Sequence, residues 1–299
     1  MKNSTKKLHG WLFWLVTLAV VLFGCLPRLG AQEKSFLWKV GSERNSLYIL
    51  GSIHFLKKSN YPLKKVIEDV YDHTQKLVLE TDVDNANSEK IQQLTLEKGV
   101  FRDGTTLQQS VARETYELAE KRAKELGLDI RVMSPLKPWV AAVTMAAMKL
   151  RQLGFDPNFG IDRYFAERAK RDGKPVQGLE TPEFQIGLFD QLSRRDQELM
   201  LRQTLKEMDL LEQGVDRIIS AWKDGEVGAM EELMLASMRE YPEVYQKLID
   251  DRNRRWLPQL EQFLSGGESV LVVVGTAHLV GRAGVIELLK QRGYQVEQL

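Results

Sequence analysis

The sequence feature that most constrains the fold is a pair of short apolar runs, each of which ends at a glycine and leads to a histidine. Residues 269–274 lead into Gly275-Thr276-Ala277-His278, and residues 46–50 lead into Gly51-Ser52-Ile53-His54. Short apolar runs without polar alternation are typical of strands that are buried on both faces of a sheet. Because ligands and catalytic groups collect at the carboxyl ends of strands in open α/β sheets, both histidines lie where chemistry is expected.

The segments around these runs predict the order of the secondary structure. After His54, an apolar helical pattern at residues 63–70 precedes a second apolar strand, residues 76–79, which ends at Glu80. A strand, crossover helix and strand favour parallel pairing, so we expect His54 and Glu80 to lie close together. The C-terminal residues repeat this order, with a helix at about 283–292 and a last strand at 294–297.

The predicted fold class is therefore α/β, with α+β as the alternative. Its centre is a mostly parallel sheet built from two strand-Gly-x-x-His-helix-strand modules. Residues 130–133 and 174–181 predict further short strands, the second of which ends at Glu180. Residues 182–266 are amphipathic and helical by pattern, which predicts a helical insertion that covers the sheet. Since the two modules would share one sheet, we predict a single domain over residues 32–299.

The first 31 residues differ from the rest of the chain. Three lysines within the first seven residues precede an apolar segment at residues 11–23, which is the pattern of a secretory signal. Leu22-Phe23-Gly24-Cys25 resembles a lipoprotein signal, Leu29-Gly30-Ala31 could be a simple cleavage site, and an uncleaved membrane anchor is the third alternative, although the apolar segment is short for a span. All three predict an exported protein at the periplasmic or extracytoplasmic face of the cell envelope, with membrane attachment through the N-terminus in two of them.

Charge and cysteine content exclude several kinds of site. Lysine and arginine total 42 and aspartate and glutamate total 41, and this balance argues against nucleic acid as a partner. Cys25 is the sole cysteine and lies in the targeting segment. The body of the protein therefore has no disulfide and no thiolate metal site, so any metal must be held by His, Asp and Glu.

Four ionisable residues stand at or just after predicted strand ends, and they are His54, Glu80, Glu180 and His278. Convergence of ligands from several strands is what a metal hydrolase needs, together with an open position for water. Two imidazoles with carboxylates suit Mn, Co, Fe or Zn, and a remaining carboxylate could act as general base. Each residue alone also has a structural interpretation, as a hydrogen-bonded histidine or a helix-capping acid. His9 and His73 lack the strand-end context and are excluded.

The ordered set of short motifs also resembles a known family. The segments that carry the resemblance are, in chain order, Gly51-Ser52-Ile53-His54, Leu79-Glu80-Thr81-Asp82, Pro138-Trp139, Gly160-Ile161-Asp162, Gly178-Leu179-Glu180-Thr181 with Gln185, Ala221-Trp222 with Gly225, Arg252-Asn253 with Trp256, and Gly275-Thr276-Ala277-His278-Leu279-Val280-Gly281. From about Phe36 to Leu299 the chain resembles the TraB/PrgY/GumN family, to which the Tiki metalloproteases are related. In the Tiki branch, two Gly-x-x-His motifs and a glutamate are associated with metal-dependent proteolysis. The resemblance thus implies His54, His278 and Glu80 as metal ligands.

Four further residues match family positions and complete the candidate site. Asp162 is an additional candidate ligand, or an acid that complements a helix dipole. Glu180, like Glu80, is a candidate catalytic residue, either as a second acid or as a further ligand. Arg252 and Asn253 are candidate catalytic residues that could bind a substrate carboxylate or an oxyanion, or else make helix-to-sheet hydrogen bonds.

These expectations define a function and its alternatives. The leading hypothesis is an exported hydrolase that uses a divalent transition metal to cleave a peptide or another small molecule. The alternatives are a non-catalytic extracytoplasmic protein that binds a peptide or signal, and a metal-dependent esterase. The metal hypothesis requires that the imidazoles of His54 and His278 face one coordination sphere.

Overall fold

A computed structural model describes residues 34–42, 45–81, 85–235 and 241–299. The proposed signal, with the alternative lipidation site at Cys25, lies outside these residues. Residues 34–299 form one compact unit. Within the described part of the chain, no helix is both long enough and apolar enough to cross a membrane.

In the part of the chain that the structure describes, the centre is a mixed sheet of six strands. The strands are β1 (Leu37–Gly41), β2 (Ser46–Ser52), β3 (Lys76–Leu79), β4 (Val176–Gly178), β5 (Val270–Gly275) and β6 (Gln295–Gln298). Their order is β4-β3-β5-β2-β1-β6, and β4, β3, β5 and β2 are parallel neighbours. Only β1 runs antiparallel to its neighbours β2 and β6. The prediction of an α/β fold with a mostly parallel sheet is confirmed.

The position of β5 differs from the simplest prediction. Direct pairing of β2 with β3 is wrong, because β5 lies between them and pairs with both. Residues 270–274 are all apolar and buried, as expected for a central strand that is covered on both faces. All three strands nevertheless end at the same edge, which keeps His54 and Glu80 close together.

The strand predicted at residues 130–133 is also wrong, since Ile130–Met133 forms a short 3-10 helix. The Asp129 side chain accepts a hydrogen bond from the Arg131 N–H and so begins the turn. Ile130 and Met133 are buried three residues apart, a spacing that suits this helical turn and would place them on opposite faces of a strand.

Helices surround the sheet and account for most of the remaining chain. They are α1 (Lys65–His73), α2 (Asn85–Gly99), α3 (Leu107–Ser110), α4 (Arg113–Glu125), α5 (Pro138–Gln152), α6 (Ile161–Asp172), α7 (Pro182–Asp190), α8 (Arg194–Glu207), α9 (Leu211–Lys223), α10 (Val227–Leu235), α11 (Pro242–Tyr245), α12 (Asp251–Ser265) and α13 (Val285–Gln291). A π-helical turn, Gln246–Asp250, joins α11 to α12.

Two hydrophobic clusters result from this arrangement. The larger one contains the sheet together with α6 and α12, which contact β3 and β2 respectively. The smaller one is formed by α3, α4, α5 and α8, and Ala141, Ala142 and Met145 of α5 are buried in it. The small and flexible side chains of α5 therefore serve helix packing.

Candidate functional site

The predicted site residues meet at the carboxyl edge of the parallel strands. A Cβ atom built on Gly275 would lie 3.0 Å from Glu80 Oε1, 3.6 Å from His278 Cδ2 and 3.8 Å from His54 Nε2. The two imidazoles and the carboxylate thus surround one point beside Gly275. A Cβ atom there would crowd the carboxylate, which would have to shift by a few tenths of an ångström, and this favours glycine at the position.

His54 is held by a carboxylate on its outer nitrogen. Its Nδ1 lies 2.7 Å from Asp162 Oδ2, so its Nε2 faces the other site residues. The negative charge of Asp162, with a smaller effect of Glu80, raises the pKa of His54 to about 9. Because 62% of the His54 side chain is exposed, solvent weakens the contribution of this pair to stability.

The start of α6 fixes the position of Asp162. A Cβ atom on Gly160 would overlap the carbonyl oxygen of His54, so only glycine allows this close approach. The Ile161 N–H donates to the carbonyl of Ile53 at 3.1 Å, which ties the first turn of α6 to the histidine segment. The structure therefore places Asp162 as the orienting partner of His54.

His278 is buried and has both ring nitrogens hydrogen-bonded. Arg252 Nη1 lies 3.0 Å from His278 Nε2, and Asn253 Oδ1 lies 2.6 Å from His278 Nδ1. A guanidinium can only donate, so Nε2 accepts and Nδ1 carries the proton that is donated to Asn253. Burial lowers the pKa of His278 to about 3, which keeps the ring neutral near pH 7.

Asn253 also ties the histidine segment to α12. Its Nδ2 donates to the carbonyl of His278 at 3.2 Å and to that of Ala283 at 2.7 Å. With Oδ1 on the imidazole, the amide is fully used in holding His278. Of the two roles predicted for Asn253, the contacts match helix-to-sheet hydrogen bonding.

Glu80 is an ionised carboxylate at the centre of the site. Its Oε1 accepts the Gly275 N–H at 2.6 Å, and its Oε2 accepts Arg252 Nη2 at 2.6 Å. Burial opposes ionisation, but the positive charges of Arg252 and His54 and the Gly275 N–H together outweigh it and hold the pKa of Glu80 well below its usual range.

Glu180 lies behind Glu80 and is the buried partner of Arg252. Its side chain is 1% exposed, and its Oε2 accepts Arg252 Nη2 at 2.7 Å. Arg252 Nε adds contacts of 3.1 Å to both carboxylate oxygens, and Trp256 Nε1 donates to Oε1 at 2.9 Å. Arg252 thus links the two carboxylates to each other and to His278.

Sequence reasoning gives two residues at this site too small a role. Trp256 has the pattern of a packing aromatic, yet it donates to Glu180 and its ring centroid lies 4.5 Å from that of His278. Gln185, to which the sequence assigns no role, donates to Glu80 at 3.1 Å and approaches Glu180 at 3.4 Å. The available signal is the place of both residues in the motifs that carry the family resemblance.

A cavity of about 290 Å³ opens beside this network. His54, Glu80 and Asp162 line it, and the other predicted residues lie deeper. Leu79, Ile91 and Pro157 give it an apolar wall, with Thr81, Arg163 and Gln185 as further polar lining. Larger cavities of about 680, 630 and 410 Å³ are lined, among the described residues, by none of the predicted site residues.

The donor atoms suit a divalent transition metal in type, although they are not arranged as a finished ligand shell. The Nδ1 of each histidine is hydrogen-bonded to another residue, as one ring nitrogen of a metal-binding histidine commonly is. Among the described residues, however, no three His, Asp or Glu side chains are grouped closely enough to hold a metal ion as they stand. The guanidinium of Arg252, between His278 and Glu80, accounts for this spacing.

The chain is similar in sequence to known proteins over most of its length. The chain is 23% identical to the uncharacterized protein YbaP of Escherichia coli K12 over 243 residues, which cover 81% of this chain and 87% of that protein. It is 24% identical to an uncharacterized protein of Treponema pallidum over 182 residues, which cover 60% of this chain and 53% of that protein. No solved structure matches. Residues 36–298 match the TraB/PrgY/gumN family, and the chain therefore belongs to that family.

Proposed function

We propose that this protein is a metal-dependent hydrolase that cleaves peptides, with His54, Glu80 and His278 as the metal ligands. The observation that carries the proposal is the convergence of these three side chains on one point beside Gly275. They come from three different strand ends, and two of them form the repeated Gly-x-x-His pattern. His278 is neutral near pH 7, whereas His54 would have to release a proton to bind a metal. Two imidazole nitrogens with a carboxylate suit Mn, Co, Zn or Fe.

The surrounding residues would prepare the site for that chemistry. A bound divalent ion would supply Lewis acidity toward a carbonyl group and toward water. Asp162 orients His54, Asn253 fixes the protonated nitrogen of His278, and the Gly275 N–H holds Glu80 in its ionised form. Each contact leaves a donor atom directed inward without the need to reorganise the backbone.

The cavity indicates how a substrate could reach these groups. His54 and Glu80 lie in its wall, whereas His278 is 4% exposed and lies behind them. The apolar surface of Leu79, Ile91 and Pro157 would bury one side chain of a peptide next to the polar edge. A metal-dependent esterase would use the same groups, so the choice between amide and ester substrates is part of the test below.

One observation favours the non-catalytic alternative, in which the protein binds a peptide or signal without cleaving it. Arg252 already satisfies His278 Nε2 and one oxygen of Glu80, so the network is complete without a metal. A binding protein would require no further change at these atoms. The two functions therefore differ in whether a metal binds and in whether the peptide is cut.

The test combines metal analysis with cleavage. The purified protein, loaded with Mn²⁺, Co²⁺, Zn²⁺ or Fe²⁺, is incubated with mixed peptides and with ester substrates, and the products are identified by mass spectrometry. We expect cleavage that a chelator abolishes and that His54→Gln reduces to background. His73→Gln is the matched control, because His73 lies at the exposed end of α1 on the Asp69 carbonyl. Peptides that co-purify uncut, without bound metal, would instead support binding.

We also propose that the protein works outside the cytoplasm. The support is the order of lysines, apolar residues and small residues in positions 1–31. Cell fractionation and the mass of the mature N-terminus test this, and Cys25→Ser separates lipidation from simple cleavage. A cytoplasmic protein that retains residues 1–31 would contradict export.

A further inference from the structure

Arg252 occupies two of the atoms that a metal would need. Its Nη1 donates to His278 Nε2 at 3.0 Å, and its Nη2 donates to Glu80 Oε2 at 2.6 Å. A metal-binding imidazole uses the same nitrogen lone pair that accepts a hydrogen bond. His278 therefore cannot bind a metal through Nε2 and accept from Arg252 at the same time, and Nδ1 is already used by Asn253.

We infer that Arg252 competes with the metal for His278. The guanidinium must leave Nε2 of His278 before a divalent cation can bind there. This inference rests on the proposed function, since it concerns the same ligands. The guanidinium supplies one positive charge between Glu80 and Glu180, and a divalent cation beside it would be repelled. Arg252 thus stabilises the metal-free site and lowers its affinity for metal.

The contacts of Arg252 allow this exchange without loss of its main partner. Nε holds both oxygens of Glu180 at 3.1 Å, and the Arg252 Cζ lies 5.0 Å from the centre of the Trp256 ring. Trp256 in turn donates to Glu180, so this side of the guanidinium is fixed. Only the Nη1 end, and the shared contact of Nη2 with Glu80, have to move.

A second acceptor for the released Nη1 is already in place. The carbonyl of Leu248 lies 3.3 Å from Nη1. Leu248 belongs to the π-helical turn Gln246–Asp250 directly before α12. Such turns occur mostly as single irregular turns within helices and often at functional sites. Nη1 already donates to Leu248 as well as to His278, so it would keep this acceptor when a small rotation of the guanidinium breaks the contact with His278.

The test measures Co²⁺ affinity at one fixed pH in the full chain. Arg252→Lys keeps a cation for Glu180 but cannot reach both partners, and Arg252→Met combined with Glu180→Gln removes the buried charges together. Arg254→Lys is the matched control, because Arg254 lies on the same helix and pairs with Asp250 at the surface. Affinity is read by chelator competition, and coordination by the visible absorption of Co²⁺.

We expect Co²⁺ to bind about 10-fold to 100-fold more tightly to the Arg252 variants than to the wild type. This range corresponds to the loss of one hydrogen bond to a charged donor. Arg254→Lys should leave the affinity unchanged. Equal or weaker binding in folded Arg252 variants, beside clear binding by the wild type, would overturn the inference and leave the proposed function intact. No Co²⁺ binding by any folded variant would overturn the proposed function itself.

A measurement on the wild type covers the case in which the substitutions prevent folding. Nitrogen NMR of the Arg252 guanidinium reports its partners directly. Addition of Zn²⁺ should shift the Nη1 signal while the Nε signal, held by Glu180, changes little. An unchanged Nη1 signal at saturating Zn²⁺ would mean that the ion binds without displacing Arg252, and the competition would be refuted.

Discussion

Replacement of Glu180 by glutamine tests the inner half of the site, which consists of Glu180, Arg252 and His278. The substitution removes one charge from a buried pair and changes the shape of the side chain very little. Glu180 is 1% exposed and accepts from Arg252 at 2.7 and 3.1 Å. The loss of one partner of a buried ion pair costs about 3–5 kcal/mol. Here Arg252 keeps its contact with Glu80 at 2.6 Å, and the amide oxygen of the new side chain could still accept from Trp256. We therefore expect the free energy of unfolding to fall by about 3 kcal/mol, the low end of this range.

The assay is urea unfolding of the full chain at pH 7, followed by both tryptophan fluorescence and circular dichroism so that coincident transitions can be verified. Glu261→Gln is the matched control. Glu261 pairs with Arg292 at 2.7 Å, but the side chains are 26% and 47% exposed, so its loss should cost at most about 1 kcal/mol. If the two variants lose the same free energy of unfolding, the buried pair is not what holds this part of the site.

A double-mutant cycle with Arg252→Met separates the pair from the individual residues. Each single change leaves a buried charge short of a partner, whereas the double change removes both charges. The double variant should therefore lose less than the sum of the single losses, with a coupling of about 0.5–3 kcal/mol. Additive losses would show that Glu180 and Arg252 act independently, against the geometry of their three contacts.

Two further substitutions test the outer half of the site, where His54, Glu80 and Asp162 line the cavity. Asp162→Asn should return the pKa of His54 from about 9 toward 6.5 in an NMR titration, because the charge of Asp162 is the main cause of the shift. Because the pKa of His54 is higher in the folded than in the unfolded protein, protonation of His54 stabilises the fold. This contribution is fully present below about pH 6.5 and is lost as the pH rises through about 9. If Asp162→Asn leaves the titration of His54 unchanged, the assignment is contradicted. Gly275→Ala should lower the free energy of unfolding by about 1–3 kcal/mol in urea, because the added Cβ lies 3.0 Å from Glu80 Oε1. Gly267→Ala is the control and should change it little, because a Cβ on Gly267 has no neighbour within 4 Å. Equal effects of the two substitutions would refute the close contact.

The sequence predicted the elements of the sheet better than their order. Apolar runs such as residues 270–274 identify a buried strand wherever it lies, so the α/β class followed from local pattern. The insertion of β5 between β2 and β3 depends on long-range packing, which local pattern does not contain. The same limit explains residues 130–133, whose apolar residues fit either a strand or a helical turn until the neighbouring helices are known.

The candidate site shows a similar division between what pattern reveals and what packing decides. The positions of His54, Glu80 and His278 followed from strand ends, and the structure brings these side chains to one point. The pairing of Arg252 with His278 did not follow, because it depends on which face of α12 turns toward the sheet. Arg252 and Trp256 are four residues apart and so share one face of that helix, which was the readable part of the signal.

One helix therefore controls both the acids and the imidazole of the inner site. Arg252, Asn253 and Trp256 all lie in the first two turns of α12, and together they contact Glu180, Glu80 and both nitrogens of His278. A displacement of this helix would change the hydrogen bonding of His278 and the pairing of the acids at the same time. His54 and Asp162 belong to other elements and do not depend on it. The Nδ1 of His54 is thus held by Asp162 of α6, whereas both hydrogen bonds to the ring of His278 come from α12.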